Sequence, residues 1–202
     1  MDSVVLLSGG LDSAVCLHRE LDAGRETCAL AIDYGQTHRI ELERASRIAA
    51  LAGVPFEVAR LRIDLGASLI SGGGTSPVLP CRNMVLASVA AAAAQRLGAS
   101  RVVMGACADD HDAFPDCRPA FLSALSRATA LAVGVDLFAP LSGSPKSDAI
   151  RWARSRPKVM EALALSWSCY TPSSRKPCGA CLACVTRRDA FAEAGVVDPA
   201  AR

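Results

Sequence analysis

Apolar and polar positions along the chain alternate between two periods, a short apolar run and then a longer stretch of helical spacing. Residues 4–7 are β-branched and apolar, as a strand buried on both faces requires, and they run into Ser8-Gly9-Gly10. Residues 11–21 then carry helical periodicity that stops near Gly24. The same alternation repeats. Residues 27–32 read as a second buried strand ending at Asp33, 40–51 as a helix stopped by Gly53 and Pro55, and 56–61 as a third strand. Residues 68–80 hold three consecutive glycines and two prolines and read as a mobile loop of the kind that covers a site.

Beyond that loop the pattern predicts a long Ala-rich helix over 83–97, a short strand over 101–105, a helix over 121–133 and an edge strand over 136–139. A further helical stretch spans 147–165 with a break at Pro157. From 166 onward the composition turns to Cys, Pro, Gly and Arg. The expected architecture is α/β, a parallel five-stranded sheet with helices on both faces. It occupies residues 1–165, and a small metal-bound C-terminal segment follows over 166–202. There is no internal repeat and no low-complexity tract.

The 202 residues are 51% hydrophobic and only 4% aromatic, a composition that favours helices packed closely on a sheet. A formal charge of +2, with no Lys/Arg block, argues against a nucleic-acid surface and for a small anionic substrate. The longest apolar run, residues 84–94, is too short to cross a bilayer, and the N-terminus lacks the pattern of a signal peptide. A cytoplasmic enzyme is expected. Nine cysteines in a reducing compartment point to metal or catalysis rather than to disulfides.

Ser8-Gly9-Gly10-Leu11-Asp12-Ser13 stands where a strand gives way to a helix. Glycines let the backbone approach an anion, the free N–H groups of the first helical turn point at it, and the helix dipole adds partial positive charge. Without the Lys of a Walker A loop, the natural ligand is pyrophosphate rather than a transferable γ-phosphate. Read without the rest of the chain, an S-G-G is a tight turn with Asp12 and Ser13 capping a helix.

Cys169, Cys178, Cys181 and Cys184 form C-x8-C-x2-C-x2-C with Gly179 in the second gap. Tetrahedral zinc takes four thiolates at about 2.3 Å; iron–sulfur runs have a comparable spacing. No position looks open for catalysis, so the metal has a structural role. Cys16 and Cys28 are isolated on apolar positions and read as buried packing residues.

Asp33-Tyr34-Gly35-Gln36, with His38 and Glu41, follows the second strand at the edge where open parallel sheets bind ligands. Arg82 and Asn83 open the Ala-rich helix, and a guanidinium there suits a carboxylate or phosphate. The loop from 105 to 119 is dense in acids, with Asp109, Asp110, Asp112 and Asp116 beside His111 and Arg118. These acids read as a magnesium site or as acceptors for the N–H groups of a guanine-like base. Lys146 is a candidate to neutralise charge in a transition state.

In order and spacing, S-G-G-L-D-S, D-Y-G-Q-x-H-x-x-E, P-x-R-N, F-P-D-C-R-P and S-W-S-C-Y leading to C-G-x-C-x-x-C resemble the 7-cyano-7-deazaguanine synthases, the QueC family. These are N-type ATP pyrophosphatases with an adenine nucleotide alpha hydrolase-like, Rossmann-like fold. The resemblance spans nearly the whole chain, departs at His111 and Ala120, and is loosest over 141–164. It implies a homodimer that converts 7-carboxy-7-deazaguanine and ammonia to the nitrile with ATP and magnesium, through an acyl-adenylate and then an adenylated amide. It implies Asp12, Ser13, Lys146 and Arg82 as catalytic. ATP would lie against Leu7, Ser8, Gly9, Gly10, Leu11, Asp12, Ser13, Ala14, Val15, Cys16 and Leu17, with Asp33, Tyr34, Gln36, His38 and Asn83. The deazaguanine would meet Arg82, Asp109, Asp110, Asp116 and Arg118, and zinc the four cysteines. Two alternatives stay open: a relative that joins a deazaguanine carboxylate to another amine, including a protein amine in antiviral defence, and a non-catalytic zinc- or nucleotide-binding module.

Overall fold

A computed structural model describes residues 1–37, 39–62, 74, 76, 78–171 and 176–201. The expected covering loop over 68–80 and His38 therefore lie largely or wholly outside the described residues. Five strands, β1 (Ser3–Leu6), β2 (Thr27–Asp33), β3 (Phe56–Arg60), β4 (Arg101–Val103) and β5 (Asp136–Phe138), form one sheet in the order β3-β2-β1-β4-β5. Every pairing is parallel, with Ser3 opposite both Thr27 and Arg101. The central strands are apolar on both faces because helices cover both, whereas the edge strands β3 and β5 are only partly buried.

Side-chain alternation divides the core in two. Val5, Ala29, Ala31 and Val103 face one cluster, while Val4, Cys28, Leu30 and Val102 face the other. On the first face pack α1 (Leu11–Asp22), α2 (Ile40–Ala52), α5 (Lys146–Ala153), α6 (Pro157–Leu165) and α7 (Leu182–Ala194). The second face carries α3 (Arg82–Arg96) and α4 (Pro119–Val133). In α3 the fully covered positions are Ala87, Ala90, Ala91 and Ala94, a three- and four-residue spacing of small side chains that lets the helix lie close on β1 and β4. Leu17 and Ile48, both 0% exposed, each contribute roughly 1.5–3 kcal/mol by their burial.

Two elements differ from the sequence expectation. The helical stretch over 147–165 is two helices separated by residues 154–156, and Pro157 is the first residue of α6, where its missing N–H and fixed φ are no handicap. β4 ends at Val103, with Met104 N–H making the last ladder bond to the carbonyl of Phe138 before Gly105 runs against α1. Cys16 and Cys28 are buried, as expected. Among the described residues no helix is long and apolar enough to cross a membrane.

The chain leaves β1 toward β2 and leaves β4 toward β5, so the connections diverge between these two neighbours. Open parallel sheets hold ligands in the crevice at such a switch point, outside the carboxyl ends of the strands.

Candidate active site

A cleft of about 440 Å³ opens at that point, with the loop after β1, the loops after β2 and β4, and the starts of α3, α5 and α7 as its walls. The loop after β1 fits there only because two positions lack a side chain. Gly9 has φ +84°, and a Cβ on it would lie 2.3 Å from the Glu41 carbonyl oxygen. Gly105, on the neighbouring loop, would place a Cβ 2.7 Å from the Ser13 nitrogen. The backbone at Gly9 and Gly10 thereby comes close to the cleft, and the N-cap residue Gly10 leaves the start of α1 without a side-chain cap. Ser8 and Ser13 hydroxyls lie 3.1 Å apart, and Ser13 donates to the Gly10 carbonyl at 3.0 Å. Such an arrangement of N–H and O–H donors at a helix N-terminus suits a multiply charged anion.

Beside it lies a buried ion pair. Lys146 Nζ donates to Asp12 Oδ2 at 2.5 Å, and the backbone N–H of Lys146 donates to Asp109 Oδ2 at 2.5 Å, so one carboxylate fixes the helix start and the other its first side chain. Burial alone would lower Lys146, but the charges of Asp12 and Asp110 outweigh it and hold the ammonium above its ordinary value. Burial raises the Asp12 carboxyl against the pull of Lys146. Asp12 Oδ1 has no hydrogen-bond partner among the described residues. Asp12, Cys107 and Asp110 bring ligand atoms within 4.8 Å of one another, and Asp110 accepts from both the Cys107 N–H and its thiol at 3.2 Å.

Arg82 also lines the cleft, and its guanidinium acts electrostatically on Tyr34, Glu41 and Tyr170. Burial pushes the Glu41 carboxyl up to about 8, against the lowering effect of Arg82. Burial likewise pushes Tyr170 up to about 12. Arg82 is aimed by its neighbours. Cys81 takes a left-handed φ of 58°, and Asp116 Oδ2 accepts the Asn83 N–H at 3.1 Å. Gln36, 4% exposed, closes the turn after β2 by accepting from Tyr34 N–H and donating to the Ile32 carbonyl.

Of the residues singled out in the sequence, Leu7, Ser8, Gly10, Leu11, Asp12, Ser13, Tyr34, Gln36, Glu41, Arg82, Asn83, Asp109, Asp110, Asp112 and Lys146 line the cleft. Ala14, Val15, Cys16 and Leu17 are buried in α1 behind it. Asp33 accepts the Gly35 N–H and pairs with Arg39 at 3.6 Å. Asp116 is engaged with α3, and Arg118 donates to the His111 carbonyl. Leu182, Thr186 and Arg187 of α7 also line the cleft. No residue-type pattern marks them; their only signal is that α7 starts inside the cysteine cluster.

The sulfurs of Cys169, Cys178, Cys181 and Cys184 all lie within 4.8 Å of one another, with Cys178 and Cys184 4.0 Å apart. A tetrahedron of sulfurs about 2.3 Å from one ion has edges of about 3.8 Å, so the set can hold a metal ion. Backbone N–H groups of Thr171 and Cys178 point at the Cys169 sulfur at 3.3 Å, and the Cys181 N–H points at Cys178. N–H groups of Ala180 and Cys181 pull the Cys178 thiol down to about 5, toward thiolate.

The model of the family described as queuosine biosynthesis protein QueC matches residues 2–195. The chain is 40% identical to 7-cyano-7-deazaguanine synthase 1 of Sphingopyxis alaskensis over 97% of its own length and 96% of that protein. It is 37% identical to the 7-cyano-7-deazaguanine synthase of Caldicellulosiruptor bescii over 98% and 96%. Among solved structures, NMN synthetase from Francisella tularensis shares the fold with a TM-score of 0.56 at 14% identity, over 97% of this chain and 78% of that one.

Proposed function

The chain belongs to the queuosine biosynthesis protein QueC family, and from that premise we infer that it is an ATP-dependent carbon–nitrogen ligase making 7-cyano-7-deazaguanine from 7-carboxy-7-deazaguanine and ammonia. The observation that carries this reading is the pairing, in one cleft, of a glycine-bearing helix start with the Asp12–Lys146 pair and with Arg82. The phosphate loop suits the β- and γ-phosphates, and Arg82 suits the carboxylate of the second substrate.

The substrate carboxylate attacks the α-phosphorus, forming an acyl-adenylate and releasing pyrophosphate into the loop. Lys146, kept protonated, stands where negative charge grows on the phosphates. Ammonia then displaces AMP to give the amide. A second ATP adenylates the amide oxygen, and loss of AMP and a proton leaves the nitrile. Asp12 with Asp110 would hold magnesium, which supplies charge neutralisation at the phosphates; the unpartnered Asp12 Oδ1 fits that role. The four thiols and their N–H donors fit zinc, with residues 166–202 as a metal-held appendage on the ATP-binding unit 1–165. A cytoplasmic homodimer completes the reading. The names of the relatives give no support to an alternative amine or to a non-catalytic module.

Mass spectrometry of the purified protein with ATP, magnesium, 7-carboxy-7-deazaguanine and ammonium tests it. Nitrile and AMP are expected; amide that accumulates without nitrile, or no AMP, contradicts it.

A further inference from the structure

We propose that Arg187, although it borders the cleft, is a positioning residue for the phosphate loop that acts through residues 166–168, because its Nε, Nη1 and Nη2 all donate within the protein. This rests on the reading that Ser8 to Ser13 receive the phosphates of ATP. Arg187 lies on α7, three residues beyond Cys184, and is 8% exposed. Its Nε and Nη2 donate to the two oxygens of Asp198 at 2.6 and 2.8 Å, and Nη2 donates also to the Leu163 carbonyl at 3.0 Å. Nη1 donates to Ser166 Oγ at 2.8 Å and to Ser168 Oγ at 3.3 Å. One rigid, planar group therefore grips both neighbours of Trp167.

Trp167 is the link to the loop. Its backbone N–H donates to the Gly9 carbonyl at 2.9 Å, and its indole N–H donates to the Cys169 carbonyl at 2.8 Å. The peptide between Gly9 and Gly10 is planar, so turning the Gly9 carbonyl toward Trp167 aims the Gly10 N–H the opposite way. That N–H donates to Ser8 Oγ at 3.3 Å, so the plane also orients the Ser8 hydroxyl on the cleft wall where an anion would sit. Gly9 also packs against the Glu41 carbonyl of α2, and the Gly10 carbonyl accepts from Ala14 N–H and Ser13 Oγ, so the Trp167 bond is the contact that ties this plane to the C-terminal segment. Asp198, near the C-terminus, compensates the buried charge of Arg187 and so belongs to the same device. A lysine could satisfy one partner of Arg187 but not the fork of Asp198 together with both serines.

Arg187→Lys and Asp198→Asn, each with magnesium and ATP alone, are compared with the unaltered protein by titration calorimetry, zinc content and thermal unfolding, followed by KM for ATP and for the carboxylate substrate. The expected result is full zinc content, ATP binding weakened about tenfold by Arg187→Lys and about threefold by Asp198→Asn, and an unchanged KM for the second substrate. Should Arg187→Lys lose its zinc, Asp198→Asn alone decides. Zinc-replete variants that bind ATP normally, or whose two KM values rise together in step with lost thermal stability, would overturn the inference. An unaltered protein that binds no ATP would instead overturn the phosphate-loop reading on which it stands.

Discussion

Two groups of metal-capable side chains lie among the described residues, and they differ in what neutralises them. At Cys169, Cys178, Cys181 and Cys184 four sulfurs converge, and backbone N–H groups turn toward them. N–H dipoles steady a thiolate but cannot balance several negative charges brought together. At Asp12, Cys107 and Asp110 a cation is already built in, because the Lys146 ammonium sits on Asp12. The first arrangement can hold a metal ion, and the donors described above at its sulfurs are backbone N–H groups, with no cationic side chain among them to take that place. The second has its own cation in Lys146, and under the proposed function it would exchange that contact for a phosphate-bound cation. Position in the fold agrees with this division. The cysteines lie between α6 and α7 and at the start of α7, whereas Asp12 and Lys146 face the cleft.

Substitutions at the two groups should therefore fail in different ways. The largest effect is expected for Cys184→Ser. Loss of one thiolate removes the proposed zinc, and with it the tether of Trp167 to the phosphate loop, lowering Tm on the order of 10 °C. Calorimetry with metal analysis checks this; a variant that keeps its Tm without metal would erase the distinction between the groups. Lys146→Met should act mainly on chemistry. Transition-state charge loses its partner, and kcat falls on the order of 10²–10³-fold while zinc content stays the same. Steady-state kinetics on the zinc-replete variant measures it, and a Tm loss as large as that of Cys184→Ser would contradict the comparison.

The smallest effect concerns Glu41, a carboxyl whose neighbouring cation, Arg82, does not offset its burial. Its value is about 8 in the folded protein and 4.5 as a free group. The folded state thus binds the proton more tightly. Its stabilising contribution is complete below pH 4.5 and disappears as pH rises through about 8. Thermal unfolding across that window should show a decline that Glu41→Gln removes, on the order of 3 °C. An identical decline in both proteins would mean that Glu41 is not held neutral.

Much of this was legible in the sequence because it is local. Strand and helix order follows from periodicity, the phosphate loop from one hexapeptide, and the cysteine cluster from its spacing. The five-stranded parallel sheet is the one expected, and Pro157 marks a helix boundary although it starts a helix rather than kinking one. Long-range contacts were not legible. Asp116 reads as a substrate residue in a loop of acids, yet it accepts the Asn83 N–H from 33 positions away. Arg187 looks like any charged residue of a surface helix until Asp198, Ser166 and Leu163 are seen around it. Gly105 carries no motif, and only the approach of Ser13 shows why a side chain is excluded there.

The central claim, that the cleft activates a carboxylate by adenylation, is tested most directly with substrate carrying ¹⁸O in both carboxylate oxygens. Attack on the α-phosphorus transfers one labelled oxygen to the first AMP, and the adenylated amide passes the other to the second. The account predicts two singly labelled AMP molecules for each nitrile formed. Unlabelled AMP, or label recovered in inorganic phosphate beside ADP, would contradict it.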